Sequence, residues 1–455
     1  MDAQLEKPLA ALFPLPFRVL FLVGLGILGW ATNLHGLERL GVDGPSILEL
    51  QDRSYLPLRS SSPSRHKQPS AHAFYAPLYR LFVIYSAWCF GAWLLYRAQT
   101  RSNLALVDVF AYIPGVCILC VLTVLLCTVD IVQKRERDSF LLSAERCCFS
   151  ASDSPIHFSD VIFADILTSY AKVLGDLWLS FWMLLPGGSL LSIPTHEGWY
   201  QWVLPCLMSV PYAIRLRQCL IEYRSPSNTS RRPLFNAIKY ASSFPVIFLS
   251  AAQRLVESEV VKASGLSAEH KGWHWEYPLF QLWLFSVAVN SLYSFWWDVT
   301  NDWGLDLLNL RHTESHAVVF PFQQTVTADR SPSHLRSSRA LSFRRAGRHG
   351  SPYPYGLRPI LLYPLLVYPL IVFLNLVLRM TWSIKLSSHL HLQSEGSVVI
   401  FCLEVAELLR RWMWVFLRIE WEVVKRGRDR ERSADTTDEL ELLDAHKDPV
   451  VTSIL

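Results

Sequence analysis

The chain has 455 residues, 51% hydrophobic and only 18% charged, with 17 tryptophans and a mean hydropathy of +0.22. A soluble domain carries about 25% charged residues, so this composition excludes an ordinary soluble protein and reads as a polytopic membrane protein. The formal charge of +4 says little about nucleic acid, and none is expected as a partner, because the basic residues lie in loops between apolar segments rather than along one face.

In chain order, residues 17 to 34 are apolar enough for a first span, and no small-x-small cleavage site closes them, so they read as a retained anchor. Residues 35 to 78 turn polar and rich in Ser, Pro and basic residues, a flexible loop. A second span is expected over 79 to 96. A third follows over 106 to 131, interrupted by Pro114 and Gly115, which membrane helices tolerate. Cys117 and Cys120 form a CxxC inside that apolar run, with no second ligand pair and no nearby His. They read as packing residues rather than a metal or redox site. Cys147 and Cys148 fall in a basic juxtamembrane loop and are candidates for palmitoylation.

The segment 158 to 186 differs in kind, because Asp160, Asp165, Lys172 and Asp176 interrupt an apolar run. Charges at membrane depth cost at least a few kcal/mol, so this helix should be buried or line a cavity. A fifth apolar segment over 199 to 214 leads into a basic stretch, with Arg215, Arg217, Arg224, Arg231, Arg232 and Lys239 marking a cytosolic turn. Lys239 falls inside the next helix, about 234 to 252. The run QLWLFSVAVNSLYSFWWDVTNDWGLD, residues 281 to 306, enters as an aromatic-rich span and ends in Asp298, Asp302 and Asp306. Spacing of four puts all three on one face of a continued helix. A Ser, Pro and Arg-rich excursion over 311 to 355 is expected to be disordered. An eighth span, about 357 to 380, closes with Asn375 and Arg379. A ninth, about 396 to 419, carries Glu404, Glu407, Arg410 and Arg411 at spacings of three and four, as one charged stripe.

The expected architecture is all-α, a transmembrane helical bundle of about nine to ten spans. An N-terminal span and loop occupy 1–74, the membrane domain 75–425, and a disordered tail 426–455. Counting basic loops places 35–78, 132–157, 215–233, 311–355 and 420–455 in the cytosol and the N-terminus outside.

The ordered motifs QCLIEYR, NAIKYASSFPVIF, WLFSVAVNSLYSFWWDVTNDWGL, LRMTW and EVAELLRRWMWVFLRIEWE resemble the EXS domain over roughly residues 75 to 425. That domain is the membrane part of eukaryotic phosphate exporters and of the fungal ER-retention-defective proteins of the Golgi. With about 75 residues before the second span, the chain looks like the short type that lacks the exporters' SPX domain. The resemblance implies movement of inorganic phosphate, a by-product of glycosylation, from Golgi lumen to cytosol. It also implies a link to retention of glycosyltransferases and lumenal ER proteins.

The resemblance further implies a phosphate site. The acid of the family's ADxLxS helix matches Asp165, the lysine of NxxKY matches Lys239, and the first acid of WDxxxDWG matches Asp298. The arginine closing the penultimate long helix matches Arg379, and the paired arginines of the last helix match Arg410 and Arg411. Thr168 stands where the exporters place Asn. Asp302 and Glu407 are expected in support.

The residue chemistry agrees. Arginine's planar fork can hold two phosphate oxygens at once, so Arg379, Arg410, Arg411 and Lys239 form a plausible cradle. The acids Asp165, Asp298 and Glu407 can hold the bases in place and keep binding weak enough for release. The partners expected are inorganic phosphate and membrane lipids, with glycosyltransferases and a homodimer also admitted; no cofactor, metal or catalysis is expected. A second reading, from another class, is a sorting scaffold that retains or recycles glycosyltransferases. A third, a membrane transferase using the acids as bases, has no nucleotide-sugar or metal motif behind it.

Overall fold

The computed structural model describes residues 9–50, 72–101, 103–149, 155–192, 198–264, 278–305, 307, 357–358, 360–380 and 396–445. The expected disordered excursion over 311–355 and the third acid, Asp306, lie outside the described residues. The protein is all-α, with no strand among the described residues.

The helices are α1 (Leu9–Leu12), α2 (Leu15–Arg39), α3 (Gly44–Ile47), α4 (His72–Thr100), α5 (Leu104–Val107), α6 (Tyr112–Leu126), α7 (Lys134–Phe149) and α8 (Phe158–Ser169). They continue with α9 (Ala171–Leu184), α10 (Val203–Arg224), α11 (Arg232–Ala241), α12 (Ser243–Ser264), α13 (Pro278–Trp297), α14 (Val367–Arg379) and α15 (Gly396–Ala445). Stretches long and apolar enough to cross a membrane are Leu15–Arg39, His72–Thr100, Leu104–Leu126 and Arg232–Val256, four among the described residues. The remaining segments read as spans from the sequence carry charges or are broken, and so depend on neighbouring helices for burial.

Local chemistry sets several boundaries. Proline costs nothing in the first turn of a helix, and α2 opens with Pro16 there, after Pro14 at its N-cap. The end of α6 is closed from outside the helix. Buried Arg137 of α7 donates to the carbonyls of Cys127 at 2.9 Å, Val129 at 3.1 Å and Ile131 at 2.7 Å, meeting acceptors that a helix terminus leaves open. The last helix runs on to Ala445, past residue 425, where the sequence reading begins a disordered tail. Residues 426 to 445 are dense in Arg, Glu, Leu and Ala, good helix formers that need no core to stay helical.

Two apolar clusters organise the bundle. In the first, Phe17 and Leu20 of α2 pack on Tyr96 of α4 and on Ile113 and Cys117 of α6. In the second, Leu34 and Leu37 of α2, Ile162 of α8 and Tyr368 of α14 surround Trp414, Val415 and Leu417 of α15. So α15 is the inner helix and α4 and α6 are outer ones. The outward faces of α4 and α6 expose Val83, Ile84, Phe90, Leu94, Leu119 and Leu126, an apolar surface suited to lipid.

Three breaks in helical backbone distinguish the interior. One separates α8 from α9 at Tyr170 and one separates α11 from α12 at Ser242. The third is a π turn over Asp298–Asp302 that ends α13. Non-helical backbone at membrane depth is tolerated where it is buried in protein or lines a cavity, and π turns favour functional sites. All three breaks meet at one place.

Candidate functional site

Asp298 is the centre of that place. Its side chain is fully buried, and one carboxylate gathers cations from three helices. Oδ1 accepts from Nζ of Lys239 at 3.2 Å, and Oδ2 accepts from Nη2 and Nε of Arg379 at 2.5 and 3.0 Å. Nη1 of Arg410 lies 3.6 Å from the same oxygen. Asn375, one turn before Arg379, donates to Oδ2 at 3.3 Å and accepts from Nη1 of Arg410 at 3.3 Å. Lys239 also reaches Asp302 at 3.1 Å.

A spacing of four keeps both acids on one face, and the π turn there ends the helix. The turn's i→i+5 bond runs from the Trp303 N–H to the Asp298 carbonyl at 2.9 Å. The continued helix expected from the sequence ends here instead. The turn closes at Gly304, whose φ of +61° is left-handed, and where a Cβ would meet the Trp421 ring at 2.5 Å. Only glycine satisfies both conditions.

A second layer lies on α8, α10 and α15. Buried Asp165 accepts from Nε of Arg215 at 3.0 Å and from the Tyr240 hydroxyl in a close contact. The Arg215 guanidinium also lies 5.0 Å above the Tyr240 ring. Glu407 takes Arg410 in a fork, at 2.5 and 2.8 Å. Arg411, 6% exposed, takes the other direction. Its Nη2 donates to the Thr168 hydroxyl at 2.9 Å and its Nε to the Ser169 hydroxyl at 3.0 Å, while the guanidinium stacks 4.7 Å above Trp414. Both hydroxyls pass their own protons on, Thr168 to the Asp165 carbonyl and Ser169 to Glu407, each at 2.7 Å. Nη1 of Arg411 is buried and has no partner, and no carboxylate lies within ion-pair distance of Arg411 among the described residues.

The charges do not balance. Lys239, Arg215, Arg379, Arg410 and Arg411 are five cations, against the four carboxylates of Asp165, Asp298, Asp302 and Glu407. An unmatched buried cation is expensive, so the arrangement favours any anion that can complete it.

Of the residues expected from the sequence, Asp165, Thr168, Lys239, Asp298, Arg379, Arg410, Arg411, Asp302 and Glu407 all come together here. Glu404 does not. It belongs to a separate group with Lys172 and Asp176, so the expected single stripe on the last helix divides. Arg215 corrects another expectation. It is 3% exposed inside α10, not part of a solvated turn, because the helix continues to Arg224 with Arg215 on its buried side. Tyr240 and Ser169 were also missed, and Asn375, noted only at the end of its span, joins the site. Each sits next to, or one turn from, a residue singled out in the sequence, which is the signal that could have found it. The two candidates for lipidation separate as well: Cys147 is buried, with burial pushing its thiol up to about 12, whereas Cys148 is exposed. Only Cys148 retains an accessible thiol.

Comparison with known proteins shows the family of the chain. The sequence matches the EXS family over residues 13–424. It is 29% identical to Protein ERD1 homolog 1 of Schizosaccharomyces pombe over 420 residues, covering 91% of each chain. It is 28% identical to Protein ERD1 of Kluyveromyces lactis over 276 residues, 59% of this chain and 60% of that one. With SPX and EXS domain-containing protein 5 of Dictyostelium discoideum it shares 25% identity over 66% of this chain but only 28% of the longer relative. The ordered motifs, the breaks around Asp298 and these relatives lead to one conclusion: the chain is a membrane protein of the EXS family.

Proposed function

We propose that this protein is an inorganic phosphate channel or carrier, with the cluster around Asp298 and Arg411 as its phosphate site. The observation that carries the reading is the cation surplus centred on Arg411, a buried guanidinium whose only polar partners among the described residues are neutral hydroxyls. Phosphate at neutral pH is an anion with three or four acceptor oxygens, and it can satisfy Arg411 and draw in Arg410 and Arg379. The carboxylates that now hold those bases compete with it. Competition keeps binding weak, as transport requires.

The relatives' names and the family support a secretory-pathway membrane. We place the protein in the Golgi, where it returns phosphate released by glycosylation to the cytosol and so supports retention of Golgi and ER residents. The test is uptake of labelled phosphate by liposomes that contain only this protein. Uptake well above that of protein-free vesicles is expected. If purified, folded protein gives no such uptake, the charge cluster is structural and the sorting-scaffold reading takes its place.

A further inference from the structure

A second group of charges lies beside the first and is not used by it. Lys172 of α9 is in close contact with Asp176 on the same helix, and its Nζ lies 3.6 Å from Oε1 of Glu404 on α15. The acid side chains are 3% and 9% exposed. Asp176 and Glu404 thus face one lysine from two helices. Arg18 of α2 is within electrostatic range of both acids. The Tyr170 hydroxyl, at the break between α8 and α9, is turned to the Leu22 carbonyl at 3.1 Å. On α15 itself, Glu407 and Arg410 are the next charged groups.

Oε1 of Glu404 is buried and accepts no hydrogen bond. A buried carboxylate oxygen without a hydrogen bond, sharing one longer-range lysine contact with a second buried carboxylate, is an arrangement in which two acids retain one proton between them. A proton would supply the missing donor and remove the like-charge repulsion. Lys172, with a side chain 35% exposed, gives the pair a route to water.

We propose that Asp176 and Glu404 form a proton-binding site linked to phosphate occupancy at Arg411. The link is physical. Glu404 lies one helical turn before Glu407, and Lys172 follows Ser169 by three residues across the break at Tyr170, Ser169 being the residue that hydrogen-bonds both Glu407 and Arg411. Neutralising Glu404 raises the positive potential at the neighbouring cluster, so the proton strengthens anion binding. By reciprocity the bound anion strengthens proton binding by the same factor. The inference rests on the phosphate reading for its second half only.

The experiment measures equilibrium binding of labelled phosphate to the purified full-length protein, from mildly alkaline to mildly acidic buffer, for the wild type, E404Q and D176N. All three meet the same phosphate species at each pH, so differences between the profiles report the pair. The wild-type affinity should tighten toward acid by about 5-fold or more beyond the change seen in E404Q, with D176N following E404Q. Infrared spectra of the same samples should show a protonated-carboxyl band that E404Q lacks and that phosphate shifts. Parallel binding profiles with phosphate bound by every variant would overturn the linkage and leave the phosphate site standing. If the wild type binds no phosphate, the phosphate reading fails instead, and loss of the band in E404Q still decides whether the pair holds a proton. The wild-type band needs no variant to fold.

Discussion

Two of the buried charge clusters on the inner helix α15, those at Glu420 and at Asp298 with Arg411, are built on different arithmetic. Around Glu420, one anion meets one cation: Nη2 of Arg358 donates at 2.5 Å, the Leu362 N–H at 2.8 Å, and the Tyr368 hydroxyl in a close contact. Both charged side chains are at most 1% exposed, and Arg358 is flanked by the rings of Trp421 and Tyr368. Around Asp298 and Arg411, cations outnumber anions. A bare N–H does not separate the two, since Arg358 leaves Nε and Nη1 unpartnered as Arg411 leaves Nη1. Charge balance does. A matched pair closes on itself and fastens helices, whereas a surplus leaves a place for something that is not protein.

The comparison can be broken most sharply at Arg411. Arg411→Ala should reduce phosphate uptake by liposomes to that of protein-free vesicles while the protein still folds and reaches its membrane. Arg411→Lys should restore only part of it, because a point charge keeps the attraction and loses the forked geometry. Wild-type uptake by the alanine variant would make this cluster as structural as the one at Glu420.

The next test sets the two acids against each other. Asp298→Asn leaves Lys239, Arg379 and Arg410 facing one another, and Glu420→Gln leaves Arg358 without its counter-charge. Each should cost about 3–5 kcal/mol of stability, read as a lowered midpoint in thermal unfolding. Phosphate should restore much of the loss in Asp298→Asn, since an anion can stand in for the missing carboxylate. It should restore none in Glu420→Gln, whose uptake per folded molecule should stay near wild type. Equal responses of the two variants to phosphate would erase the distinction.

A smaller effect is expected at Thr168. Removing its hydroxyl in Thr168→Val takes one partner from a charged donor, a loss of about 1–3 kcal/mol, and phosphate affinity should change about 10-fold or somewhat more. The smallest effect of all concerns residues 325–350, outside the described residues. Deleting them should leave uptake unchanged, because their composition cannot bury a core. A folded deletion variant without uptake would contradict this.

The sequence made the cluster legible where charge interrupts an apolar run. Asp165, Asp298, Arg379, Arg410 and Arg411 stand out because membrane depth makes each of them costly. Arg215 was hidden by its neighbours: a buried arginine followed by Arg217 and Arg224 looks like the edge of a basic loop until the helix around it is known. The helix breaks were only partly legible. Nothing in FADILTSYAKV demands a discontinuity at Tyr170, since no proline or glycine sits there, whereas in NAIKYASSFP the proline, Pro245, falls in the first turn of α12 and signals a break near Ser242. Side-chain bonds add to it: the Ser242 hydroxyl bonds the Lys239 carbonyl, three residues back, and the Asn290 side chain, both at 2.8 Å, and the second of these partners is distant in sequence. The outer spans were the easiest to read. Lipid asks only for length and apolar content.

The unbroken course of α15 gives the site a division of labour. Asp165 and Thr168 end on one joint, Lys239 on another and Asp298 on a third, while Arg410 and Arg411 are mounted on a continuous rod that runs from Gly396 to Ala445. At 1.5 Å per residue the rod extends about 50 Å beyond Arg411. The two arginines are therefore set by one long element, whereas Asp165, Lys239 and Asp298 are each set beside a local break, so a change at one joint would move its own residue and leave the arginines in place.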